Sequence, residues 1–94
     1  MASGQCERGI VLCTTGIGVS MVANKVKGVR CALCRDLLSA QLTRQHNNAN
    51  MLALAGGFTG NFEAEHIVDT FLTTEFEGGR HQRRVGLVMD IEQG

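Results

Sequence analysis

The sequence has no proline, no tryptophan and no tyrosine, and only four phenylalanines among its 94 residues. A surface that stacks unpaired bases needs more rings than that. Charge of one sign is missing too: nine Lys and Arg balance nine Asp and Glu, for a net charge of zero. No global field then draws the chain to nucleic acid or to an anionic membrane. No apolar run approaches the roughly 20 residues of a membrane-spanning helix. The opening MASGQCERG lacks the charged and apolar regions of a signal peptide. These absences predict a cytoplasmic protein with neither a nucleic-acid nor a membrane partner. Nothing in the sequence accounts for the absence of proline.

What is present fits one small domain spanning residues 1–94, 44% hydrophobic and 19% charged. A domain of this size buries only about 60–65% of its unfolded surface, so its core is thin. Four cysteines without an export signal are expected to be reduced thiols. Cys6, Cys13, Cys31 and Cys34 are therefore core residues, metal ligands or reactive groups. The C-x-x-C spacing of Cys31 and Cys34 lacks the second pair that a zinc site needs, and no metal or cofactor is expected.

Two continuous apolar runs, Gly9 to Cys13 and Val29 to Cys34, read as strands buried on both faces, with a weaker third at Met51 to Ala55. Between and after them lie helical segments at Val19 to Val26, Asp36 to Gln45, Phe62 to Thr73 and Arg80 to Glu92. Alternating strands and helices predict an α/β fold with an open parallel sheet, whose ligands bind beyond the carboxyl ends of the strands. A three-stranded sheet leaves the long apolar first strand with an unpaired edge, so the sheet is expected to be incomplete.

Three segments can carry chemistry. In Cys13-Thr14-Thr15-Gly16-Ile17-Gly18 a buried strand ends at a thiol, turns through glycines and opens a helix. Free N–H groups and the positive end of the helix dipole favour a thiolate there. Cys13 is thus a candidate base or nucleophile, and the N–H groups of Thr14 to Gly18 a candidate oxyanion site. The plainer reading is a small apolar residue closing a core strand. In Arg44-Gln45-His46-Asn47-Asn48, His46 can act as acid or base and Asn47 can both donate and accept. The same residues also suit an ordinary helix C-terminus. In Gly78 to Arg84, Arg80 and Arg84 share a helix face and can fork onto one phosphate. Three arginines at a helix start oppose its dipole, which calls for something anionic nearby.

These segments together resemble ribose-5-phosphate isomerase B and its galactose-6-phosphate isomerase relatives. The carriers are GIVLCTTGIGVSMVANKVKGVRCALC, SAQLTRQHNNANML and FEGGRHQRR, and the resemblance runs from about Gly9 to Gln93. It implies a three-layer α/β/α, Rossmann-like fold, a homodimer and metal-free isomerisation through an enediolate. It casts Cys13 as the base and His46 as the ring-opening acid. Thr14, Thr15, Gly16, Ile17 and Gly18, with Asn47, would bind the enediolate oxygens. Arg80 and Arg84 would bind the phosphate of a small phosphosugar, in the site of the partner subunit.

Three departures stand out. Two leading βα units, with an Asp-His pair in the first loop, are missing. Thr14 stands where the family has glycine, and Gly57 where it has an arginine that also binds phosphate. The expectation is therefore either an isomerase completed by a second chain that supplies the leading half, or a non-catalytic remnant that binds phosphosugar or serves as a subunit partner. The RQHNN segment leans toward ribose phosphate.

Overall fold

The computed structural model describes residues 7–93, so Cys6 lies outside the described residues. The elements in chain order are β1 (Gly9–Cys13), α1 (Ile17–Asn24), β2 (Cys31–Leu33), α2 (Leu37–Asn47), β3 (Met51–Ala55), α3 (Asn61–Thr73) and α4 (Arg80–Gln93). β1 and β3 have the predicted bounds. β2 is shorter than the predicted Val29 to Cys34. At its start the Arg30 N–H is diverted to Asn50 Oδ1 at 2.8 Å. Cys34 follows the strand and sits in the core.

The strands form one parallel sheet in the order β1-β3-β2, with Gly9 opposite Met51 and Cys13 opposite Ala55. Because β3 inserts between its predecessors, successive right-handed crossovers place α1 on one face and α2 on the other. α1 accordingly packs on all three strands. On the opposite face Leu52 and Leu54 of β3 join Ala40, Ile67 and Phe71 of α2 and α3 in the core. This is the predicted three-layer α/β/α, Rossmann-like arrangement. Phe71, Leu52 and Ile67 are fully buried; each contributes about 1.5–3 kcal/mol by leaving water.

Local signals set the ends of α2. Asp36 caps its start by accepting the Ser39 N–H at 2.7 Å, and Asn48 ends it in the left-handed conformation, φ 48°. Arg44 is a structural clamp. Its buried guanidinium donates to the carbonyls of Thr74 at 3.0 Å and Ala49 at 2.6 Å and to Asn48 Oδ1 at 2.9 Å.

The two sheet edges differ. The outer edge of β2 is closed by the Asn24 side chain, which accepts from the Cys31 N–H at 2.8 Å and donates to the Cys31 carbonyl at 2.9 Å. Among the described residues β1 pairs with β3 alone, and its Ile10 and Leu12 are 42% and 63% exposed. That is the open edge expected of an incomplete sheet. α4 packs on α2 and its Val85 is buried, while Leu87, Val88 and Ile91 remain exposed.

Candidate active site

The strand ends sort the candidate residues into two groups. At the carboxyl end of β1 the chain leaves Cys13 through a turn that Gly16 completes as the N-cap of α1, with φ 76°. Only glycine fits at 16. A Cβ there would collide with the Leu33 side chain and stand 3.1 Å from the Leu54 carbonyl. Tight packing of the turn on the sheet aims its backbone at the thiol. The N–H groups of Val19 and Gly16 hold Cys13 below the usual thiol range; burial opposes them, and the Thr15 N–H and hydroxyl each help by a lesser amount. Burial pushes the thiols of Cys31 and Cys34 the other way.

The turn differs in detail from an open row of donors. The Ile17 N–H already donates to Thr15 Oγ1 at 3.2 Å, so Ile17 does not offer it to a ligand. Gly18 has open space where a Cβ would stand, and its φ is not positive, so neither crowding nor backbone strain demands glycine at 18. Thr14 closes the rim against β3: its carbonyl accepts the Gly57 N–H at 2.9 Å.

The second group lies at the other end of the sheet. α2 runs back against the strand direction and delivers His46 and Asn47 just ahead of β3, where Asn50 accepts the Gly9 N–H at 2.9 Å. α4 starts at the same end. Its buried His81 stacks on His46, with centroids 4.2 Å apart and planes 14° apart. Glu77 reaches both rings, with Oε1 3.6 Å from His81 Nε2 and 4.0 Å from His46 Nε2. Its own N–H is anchored on the Gln45 carbonyl at 3.1 Å. Burial, then the neighbouring His46 and Arg80, push the pKa of His81 down, and Glu77 opposes them. Arg80 and Arg84 are exposed on the first turns of α4. Arg84 and Asn47 line one groove of about 670 Å³ with Val29, Cys31, Val85 and Val88. That groove does not adjoin the Cys13 turn.

The structure therefore brings His46, Asn47, Arg80 and Arg84 to one region and Cys13 to Gly18 to another. Four residue steps of strand separate the two ends, about 13 Å at 3.3 Å per step. Within one chain Cys13 and His46 do not meet, because a helix that follows a parallel strand must return to the sheet's amino end. Sequence reading missed Glu77, His81 and Val19. The four-residue spacing of Glu77 and His81 was a visible signal, but their junction with His46 is tertiary.

The family model described as ribose/galactose isomerase matches residues 1–88. Ribose-5-phosphate isomerase B of Escherichia coli is 46% identical over 99% of this chain and 62% of its own length. Among solved structures, ribose-5-phosphate isomerase B of Clostridium thermocellum superposes with a TM-score of 0.94 at 52% identity, over 97% of this chain and 62% of that one. The Mycoplasma genitalium enzyme with bound ribulose-5-phosphate gives 0.92 at 48% identity, over 97% and 60%. The chain thus spans about three fifths of the length of these relatives. No helix among the described residues is long and apolar enough to cross a membrane. Sequence, sheet order and superposition agree: the chain belongs to the ribose/galactose isomerase family of sugar-phosphate isomerases.

Proposed function

We propose that the chain carries the two halves of an aldose–ketose isomerase site, and that one working site joins the Cys13 turn of one copy to the His46 region of another. The observation that carries this reading is the placement of the halves at opposite ends of one sheet. A two-fold dimer makes opposite ends meet twice, since each subunit gives one half to each site.

The chemistry is the interconversion of ribose 5-phosphate and ribulose 5-phosphate. His46 protonates the ring oxygen and opens the sugar. The Cys13 thiolate then takes the proton from the carbon beside the carbonyl, leaving an enediolate whose charge the N–H groups of Thr14, Thr15, Gly16 and Gly18 and the Asn47 amide stabilise. The thiol returns that proton to the former carbonyl carbon while the hydroxyl proton passes from the second enediolate oxygen to the first, so the carbonyl moves by one position with no net change in atoms or electrons. Arg80 and Arg84 hold the phosphate. The lowered thiol pKa raises the thiolate fraction of Cys13 and so favours it as the base. The relatives named for ribose 5-phosphate and the ribulose-5-phosphate complex support this substrate.

The test uses this chain joined to the leading βα units of the Escherichia coli relative. Cys13→Ser and His46→Gln variants are each expected to be inactive, and subunit exchange between them to restore roughly a quarter of wild-type activity, the statistical yield of a two-fold dimer. Proven exchange without recovery overturns the shared site.

A second reading is a binding remnant, favoured by Thr14, whose methyl group occupies the space that a side chain at position 57 would need. Under either reading the chain alone is expected to fall below the ordinary enzyme range of about 1–1000 per second. A coupled assay checks this. Saturable ribose 5-phosphate binding that is lost in Arg80→Ala and Arg84→Ala separates a remnant from an inert fold.

A further inference from the structure

The amino-end cluster holds more ligating groups than ring opening uses. One ligand atom from each of His46, Glu77 and His81 lies within 4.8 Å of the other two. We propose that these three side chains form a binding site for a divalent cation of the zinc class, with the fourth position open to solvent.

Two imidazoles and one carboxylate suit zinc, whereas magnesium and calcium favour oxygen ligands. Zinc at its usual bond lengths draws tetrahedral ligand atoms to about 3.4 Å from one another. The Glu77–His81 separation of 3.6 Å is already close to that, and the Glu77–His46 separation is 4.0 Å. Stacked parallel rings point their lone pairs side by side, so one ring must turn. His46 can turn, because its side chain is 39% exposed at the end of α2, whereas that of His81 is 7% exposed and fixed.

Two features limit the affinity. His81 Nδ1 is the buried side-chain atom without a hydrogen-bond partner among the described residues. A cation on Nε2 fixes the proton on that unpartnered nitrogen, and missing outer partners weaken metal sites by about 10–100-fold. Arg80 and Arg84 also repel a cation. Micromolar zinc affinity is expected rather than the tighter binding of structural sites. Where His46 is the ring-opening acid, which rests on the proposed function, a bound cation competes with that role. The ion is then an inhibitor and not a cofactor, so metal-free chemistry at the Cys13 end is retained.

The test is calorimetric titration of the untagged chain with zinc alone, after brief iodoacetamide treatment has blocked the accessible thiols and circular dichroism has shown the blocked chain to be folded. Cobalt absorption supplies a second readout of the ligand set. The expected result is one zinc per chain at micromolar affinity, weakened about tenfold or more in Glu77→Gln and in His46→Gln. Both substitutions alter partly exposed side chains, and circular dichroism confirms that each variant is folded. No saturable binding to the blocked chain, or binding unchanged in both variants, overturns the site. The subunit-exchange experiment contains no metal, so failure of the zinc site and failure of the isomerase reading are distinguishable.

Discussion

A Cβ on Gly57 would stand 2.6 Å from Cγ2 of Thr14 and 3.1 Å from its carbonyl oxygen. These are the two positions that the resemblance marks as departures from the family pattern, and they face each other across the rim of β1 and β3. The Thr14 methyl fills the space that a side chain at 57 needs. Gly57→Ala is expected to destabilise the fold by about 1–3 kcal/mol through overpacking. Thr14→Ser removes the methyl and keeps the hydroxyl, and should relieve much of that loss in the double variant. Urea unfolding of the single and double variants measures the coupling, and strict additivity would mean that the rim relaxes around the new carbon.

Thiol reactivity should follow the opposite pKa directions. Backbone N–H groups lower Cys13, whereas burial raises Cys31 and Cys34. At a given pH Cys13 holds the larger thiolate fraction, so iodoacetamide should label it first and half-maximally at the lowest pH of the three. Mass mapping after brief exposure reads the order, and earlier labelling of Cys34 would contradict the burial that places it in the core.

Acid should weaken the fold through His81. Its folded pKa is depressed, so the unfolded chain binds more protons as pH falls through the unfolded histidine value of about 6.5. The neutral-His81 contribution is present above that pH and declines below it. Unfolding free energy should begin to fall as pH drops through about 6.5, before most carboxylates titrate. His81→Gln should flatten this stretch of the profile, and a slope unchanged by the substitution would move the acid sensitivity to another group.

The isolated chain should associate. β1 leaves Ile10 and Leu12 exposed beside an unpaired edge, and α4 exposes Leu87, Val88 and Ile91. Covering each such side chain stabilises by roughly 1.5–3 kcal/mol, a large part of a small domain's net stability. Sedimentation at micromolar concentration should show dimers or larger species. A single well-folded monomer would show that these surfaces are satisfied in water.

The sequence by itself determined the order and type of the elements, though not every boundary: α1 spans Ile17–Asn24 where Val19 to Val26 was expected. Continuous apolar runs specified β1 and β3 to the residue, although only β3 is buried on both faces, and Asp36 marked the start of α2, which runs to Asn47, two residues past the expected Gln45. The thiol followed by a glycine turn was legible as well, since a strand end, a tight turn and a helix start are contiguous in the chain. Tertiary structure decided what meets what. The order β1-β3-β2 puts β3 in the middle, a choice made by crossover handedness and not by any one segment. That order sends Cys13 and His46 to opposite ends of the sheet, joins His46 to Glu77 and His81 from distant segments, and sets Thr14 against Gly57. Contacts between residues far apart in sequence depend on how helices return across the sheet, and periodicity along one chain does not carry that information.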